Sequence, residues 1–149
     1  MALSQAARKV LLTGTVSDSH TWNLVFLELF LTEQGYAVDN LGPCVPVELL
    51  VRRCRAYAPD LVVVSSVNGH GYADGLAAVT ALRAEPDLAD VPVVIGGNLG
   101  LDGRDDAHRR ARLRAAGYQA VFDDGDLLAF ERYLTVLTGQ PRTPVGRPA

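Results

Sequence analysis

The sequence predicts a doubly wound α/β domain built on one five-stranded parallel sheet, and three observations predict it. Five short apolar runs alternate with five segments of helical length. One of the runs, DLVVVSS at 60–66, is apolar and β-branched, as a strand covered on both faces must be. The stretches after the first, third, fourth and fifth runs hold nearly all the glycines outside helix ends, so one rim of the sheet is built for close approach of backbone.

Taken in order, KVLLTGTV (9–16) is short and apolar and ends in small polar residues, a buried strand. WNLVFLELFLTEQ (22–34) is a helix apolar on most faces, with Gly35 to close it. YAVDNLG (36–42) is a second strand. PVELLVRRCRAYA (46–58) is a helix with Pro46 suited to its first turn and Pro59 past its end. After the strand at 60–66, YADGLAAVTALRAE (72–85) is a helix stopped by Pro86. VPVVIGG (91–97) is the fourth strand. DDAHRRARLRAA (105–116) is a charged surface helix closed by Gly117, YQAVF (118–122) the fifth strand, and DLLAFERYLTVLT (126–138) the last helix, with Asp126 at its positive end. The expected strand order is 2-1-3-4-5, the flavodoxin-like or Rossmann-like arrangement, whose ligands bind outside the strands' carboxyl ends at the switch between strands 1 and 3.

The chain of 149 residues fits one domain, expected over 1–138, with the Pro-, Gly- and Arg-containing 139–149 as a flexible tail. A net charge of −3 argues against a general nucleic-acid binder. No apolar run reaches the roughly 18 residues of a membrane span, and the N-terminus lacks a signal-peptide pattern, so a cytoplasmic location is the default expectation. Cys44 and Cys54 form neither a disulfide framework nor a CxxC motif and are expected to be packing residues.

The carboxyl-end loops carry the chemistry. They read SDSHTWN, SSVNGHGYAD, GGNLGLDG and DDGD in chain order. A P-loop, a GxGxxG fingerprint and a GxSxG elbow are all missing. A phosphoacceptor receiver needs an aspartate closing strand 3 and a lysine closing strand 5; Ser65–Ser66 and Phe122–Asp123 stand there instead. His20 can ligate a metal through one ring nitrogen while Asp18 holds the other and fixes the tautomer. Solvated loop residues, or Asp18 as the cap of the next helix, are the plainer readings of the same pair. Trp22 is expected in the core packing of the first helix, with an aromatic wall against a ligand or partner as the alternative. His70 is expected to be an exposed loop residue and His108 a solvated one.

Three segments together raise the ligand reading. SDSHTWN resembles the D-x-H-x-x-G motif of cobalamin-binding domains, SSV at 65–67 their S-x-L motif, and IGGN at 95–98 their G-G motif, in the right order and after the right strands. The resemblance covers roughly 8–138, and VSSVNGHG with GGN is most similar to the glutamate mutase (methylaspartate mutase) small-subunit branch. It implies a cofactor, cobalamin in its adenosyl form, bound base-off with His20 as the axial ligand of cobalt. Asp18 is then the partner of His20, and Ser17 adds a hydrogen bond beside it. Ser65 matches the serine that bonds the displaced base, while Gly96 and Gly97 match the pair that lets the nucleotide tail pass, in a cleft between sheet and first helix. The matched segments also bring Thr21, Asn23, Val67, Gly69 and Asn98 into the cofactor-binding set. Two positions depart from the motifs: Asn23 replaces the glycine and Val67 the leucine.

The resemblance further implies a non-catalytic, cofactor-carrying subunit of a carbon-skeleton mutase, an isomerase, working with a separate, large, barrel-type catalytic subunit on an amino acid such as glutamate. Two other readings stay open: a stand-alone cobalamin carrier or sensor for methyl transfer or a radical enzyme, and a cofactor-free flavodoxin-like interaction module.

Overall fold

In a computed structural model of the chain, the structure describes residues 6–100, 106–123 and 126–140. The tail expected at 139–149 lies outside the described residues from 141 onward. The elements run β1 (Lys9–Gly14), α1 (Trp22–Glu33), β2 (Ala37–Asn40), α2 (Val47–Tyr57), β3 (Leu61–Ser66), α3 (Gly71–Arg83), a 3₁₀ turn (Pro86–Leu88), β4 (Val93–Gly97), α4 (Asp106–Ala116), β5 (Ala120–Asp123) and α5 (Leu127–Thr138). All five strands pair in parallel in the order β2-β1-β3-β4-β5, as expected.

Strand alternation divides the core in two. Leu11, Val62, Val64, Val93, Ile95 and Val121 point to one face and pack under α2, α3 and α4 with Leu50, Cys54, Val79, Leu82 and Leu113. Val10, Leu12, Leu61, Val63 and Val94 point to the other, against Leu24 and Leu31 of α1 and Phe130, Leu134 and Leu137 of α5. Every residue of β3 is buried, which is why its sequence is apolar without alternation until the serines at its end. The 3₁₀ turn was not expected from the sequence. It follows from Pro86, which cannot continue α3 but can open a new turn.

The register sets the site. Gly14 of β1 lies beside Ser65 of β3, and Ser65 and Ser66 lie beside Gly96 and Gly97 of β4. The carboxyl ends of the three central strands are therefore level, and the loops that follow them meet.

Candidate functional site

Asp18 is the point where those loops join. It is 1% exposed although it lies on a loop. Its Oδ1 accepts from the His20 backbone N–H at 2.9 Å and lies 2.7 Å from His20 Nδ1. Its Oδ2 accepts from the Val67 N–H at 2.6 Å and the Ser66 hydroxyl at 3.2 Å. Its carbonyl accepts from the Cys44 N–H at 2.9 Å. One residue thus ties the loops after β1, β2 and β3 together. Burial alone would raise its carboxyl pKa, but the His20 and Val67 backbone N–H groups, the His20 ring and the Ser66 hydroxyl outweigh burial and hold it below its ordinary value. An ionised Asp18 takes a proton-bearing Nδ1, which leaves Nε2 of a neutral ring with its lone pair. The His20 side chain is 58% exposed, so that nitrogen is on offer to a ligand.

The loop is held from outside as well. Ser17 donates its hydroxyl to Asp74 Oδ2, and Asn68 Nδ2 donates to the Ser17 carbonyl at 3.2 Å. Asn68 Oδ1 in turn accepts from the His70 N–H at 2.9 Å and lies 3.1 Å from the Ser66 hydroxyl, whose single proton it shares with Asp18 Oδ2. Gly69 N–H donates to the Asn98 carbonyl at 3.3 Å, which links the loop after β4 to the same cluster.

Beside this cluster a cavity of about 300 Å³ lies between the sheet and helices α1 and α5. Asn23, Phe26 and Leu27 line it from α1, Val63, Val64 and Ser65 from β3, and Val94, Ile95, Gly96 and Gly97 from β4. Phe122, Leu127 and Phe130 complete the wall, with Asp126 and Val67 at its polar and loop edges. Phe122 and Phe130 sit 5.3 Å apart, centroid to centroid, so the wall on the α5 side is aromatic. At the strand ends Asn23 Nδ2 donates to Ser65 Oγ at 2.9 Å.

The model of the B12 binding domain family matches residues 8–126. The chain belongs to the B12-binding domain family. This B12-binding domain is close to glutamate mutase sigma subunits. It is 33% identical over 118 residues to glutamate mutase sigma subunit 1 of Haloarcula marismortui, covering 78% of this chain and 76% of that one. It is 32% identical over 111 residues to the sigma subunit of Carboxydothermus hydrogenoformans, covering 74% and 80%. Among solved structures it superposes on a cobalamin-binding protein from Desulfitobacterium hafniense with TM-score 0.70 at 21% identity, covering 88% of this chain and 59% of that chain. A response regulator from Burkholderia multivorans gives TM-score 0.58 at 21% identity, covering 93% and 99%. At such identities the likeness speaks for the fold alone.

Within the B12-binding domain, the residues expected from sequence fall into two groups. Asp18 and His20 meet as expected, and Asn23, Ser65, Val67, Gly96 and Gly97 share the cavity wall. Thr21, Gly69 and Asn98 do not line it. Thr21 starts α1 through its carbonyl, without a side-chain cap, and Gly69 and Asn98 hold loop to loop. Ser17 turns to Asp74 rather than to His20. Gly97 has φ +110°, and a Cβ there would come within 2.1 Å of the Ser66 carbonyl oxygen. Its glycine is required by the neighbouring strand before any ligand enters.

Two expectations and one alternative reading are corrected. Asp18 does not cap α1, because its carboxylate is spent on His20, Ser66 and Val67. Trp22 is not in the core: it is 82% exposed, since Leu24 and Leu31 take the face of α1 that meets the sheet. Cys44 is exposed, with φ 53°, and serves the site through its backbone; Cys54 packs as expected. His70 and His108 are exposed as read from sequence. The sequence reading missed α5 as a cavity wall, and Asn68 and Asp74 as braces. Phe122 in the fifth strand and Phe130 in the helix after it were the available signal.

Proposed function

We propose that this domain carries cobalamin base-off, with His20 as the lower axial ligand of cobalt, as the cofactor subunit of an adenosylcobalamin-dependent carbon-skeleton mutase. The observation that carries the reading is the pairing of an exposed imidazole, its Nδ1 held by a buried carboxylate, with an apolar cavity beginning at Ser65. The residues fit the group. A single histidine would suit a metal whose other ligands come from its own macrocycle, and among the described residues no cluster of three or more His, Cys, Asp or Glu is placed to hold a bare ion. The cavity, lined mostly by Val, Leu, Ile and Phe with Ser65 among them, suits a planar base and its sugar.

The bound cofactor supplies a cobalt–carbon bond whose homolysis starts radical chemistry. The chain's own part is to bind and orient. Asp18 fixes the ring plane and tautomer of His20, and the Ser66, Val67 and Cys44 contacts hold Asp18 still. Ser65 and the aromatic walls receive the displaced base. Substrate chemistry belongs to a separate, barrel-type catalytic subunit, and the sigma-subunit relatives favour an amino acid such as glutamate as substrate. The exposed Trp22, Val25 and Leu29 on α1 and Val16 before His20 support a partner surface beside the cofactor face.

Spectral titration with cobalamin tests the proposal. The wild-type chain is expected to retain the cofactor and shift its spectrum to the base-off, histidine-bound form, and His20→Ala to bind at least about tenfold more weakly without that shift. Absence of any shift or retention with the wild-type chain overturns the reading.

A further inference from the structure

Ser17 is an exposed loop residue, open to water, yet the protein itself holds each of its polar groups. Its hydroxyl and its backbone N–H both donate to Asp74 Oδ2, the N–H at 3.4 Å. Its carbonyl and its hydroxyl oxygen accept from Asn68 Nδ2, at 3.2 and 3.3 Å. Asp74 and Asn68 stand 57 and 51 positions further on, so neither contact is a local turn. Asp74 belongs to the first turn of α3, which has no side-chain cap at its start; the carboxylate leaves its own helix to reach Ser17.

What these contacts fix is the peptide bond after Ser17. Peptide planarity makes the Ser17 carbonyl and the Asp18 N–H one rigid unit. Its oxygen is held by Asn68, and its N–H donates to the Thr15 carbonyl at 3.2 Å. That plane sets the direction in which Asp18 leaves the chain, and Asp18 lies 2.7 Å from His20 Nδ1. On its other side Asp18 is tied to the end of β3 through the Val67 N–H. A loop tied there alone is free to pivot about Asp18, and the second anchor, on α3, stops the pivot. A ligating group has to be held within about 0.5 Å and 10–20° of its productive geometry, so a pivot of the loop weakens the bond that His20 makes.

We propose that Asp74 is a positioning residue for the axial ligand, acting through Ser17 and Asp18 on His20, and that it sets the strength of the His20–cobalt contact without touching the cavity's hold on the rest of the cofactor. The inference rests on the cobalamin reading above and adds what aims its ligand. Ser17 uses one oxygen of the Asp74 carboxylate, so the requirement is for an acceptor at that place and not for a charge.

The full-length chain is loaded with cyanocobalamin and titrated with cyanide, which replaces His20 on cobalt and gives the dicyano spectrum. The cyanide midpoint reads the His20 contact. Affinity for dicyanocobalamin in saturating cyanide, where both axial positions are taken, reads the cavity alone. In Asp74→Ala and in Ser17→Ala the midpoint falls roughly fivefold, the effect of one lost hydrogen bond, and in the double variant it falls no further. Asp74→Asn, which keeps an acceptor, stays within about twofold of the wild-type chain. Dicyanocobalamin affinity is the same in all of them. Ser17→Ala, at an exposed position, carries the test if Asp74→Ala does not fold.

An unchanged midpoint in both alanine variants overturns the inference and leaves the cobalamin reading intact. So does a midpoint in Asp74→Asn as low as in Asp74→Ala, or a fall in dicyanocobalamin affinity that matches the fall in midpoint, since a general loosening of the domain does the latter. Release of dicyanocobalamin by the wild-type chain overturns the division between ligand and cavity, and the inference with it. Failure of the wild-type chain to bind cyanocobalamin overturns the cobalamin reading itself.

Discussion

At the scale of single residues the site turns on one carboxylate. Asp18 accepts four hydrogen bonds from side chains and backbone of two loops, two on each oxygen. Asp18→Asn keeps one acceptor but turns an NH₂ toward two donors, and is expected to cost about 1–3 kcal/mol of stability in urea unfolding as well as weakening cobalamin binding. The pH dependence has a defined sign. Because folding lowers the Asp18 pKa, its stabilisation is present above the ordinary carboxylate value and is lost as pH falls through the lowered folded value. Urea midpoints followed from neutral into acid therefore fall in the wild-type chain with a component that Asp18→Asn lacks. Gly97→Ala is the second sharp residue: its Cβ meets the Ser66 carbonyl at 2.1 Å with φ at +110°. Thermal unfolding is expected to show a loss of about 1–3 kcal/mol from the strained backbone alone. The Asp18–His20 contact was legible because the two residues are sequence neighbours. The Ser66, Val67 and Cys44 contacts were not, since partners 26 to 49 positions away are set by strand register.

At the scale of elements, α1 divides its apolar residues among three neighbours. Leu24 and Leu31 bury against the sheet, Asn23, Phe26 and Leu27 face the cavity, and Trp22, Val25 and Leu29 reach solvent. Leu31→Ala is expected to cost about 2–5 kcal/mol, and Leu29→Ala, at a side chain 61% exposed, about 0.5 kcal/mol or less, both by urea unfolding. The sequence told that this segment is helical but not which side faces the sheet. A helix apolar all round has no stripe to orient it, and Trp22 was for that reason expected inside. By contrast β3 was legible in full, because a strand buried on both faces needs no orientation to be recognised. Asn23, at the start of α1, gave in sequence only its mismatch to a motif; its contact with Ser65, 42 positions on, needed the fold.

At the scale of the molecule, strand order and the position of the switch point followed from the alternation of elements alone. The cavity's far wall did not. Phe130 and Leu127 belong to α5, and only the packing of α1 and α5 on the same face of the sheet brings them opposite Asn23 and Phe26. On the proposed reading, levelled strand ends would present His20 to cobalt while the cavity receives the base that His20 displaces. The direct measurement is the EPR spectrum of Co(II) cobalamin bound to the chain, recorded with natural-abundance and with ¹⁵N-labelled histidine. Ligation by His20 predicts nitrogen splitting that changes from three lines to two on labelling and is lost in His20→Ala. Splitting that is indifferent to histidine labelling contradicts the account.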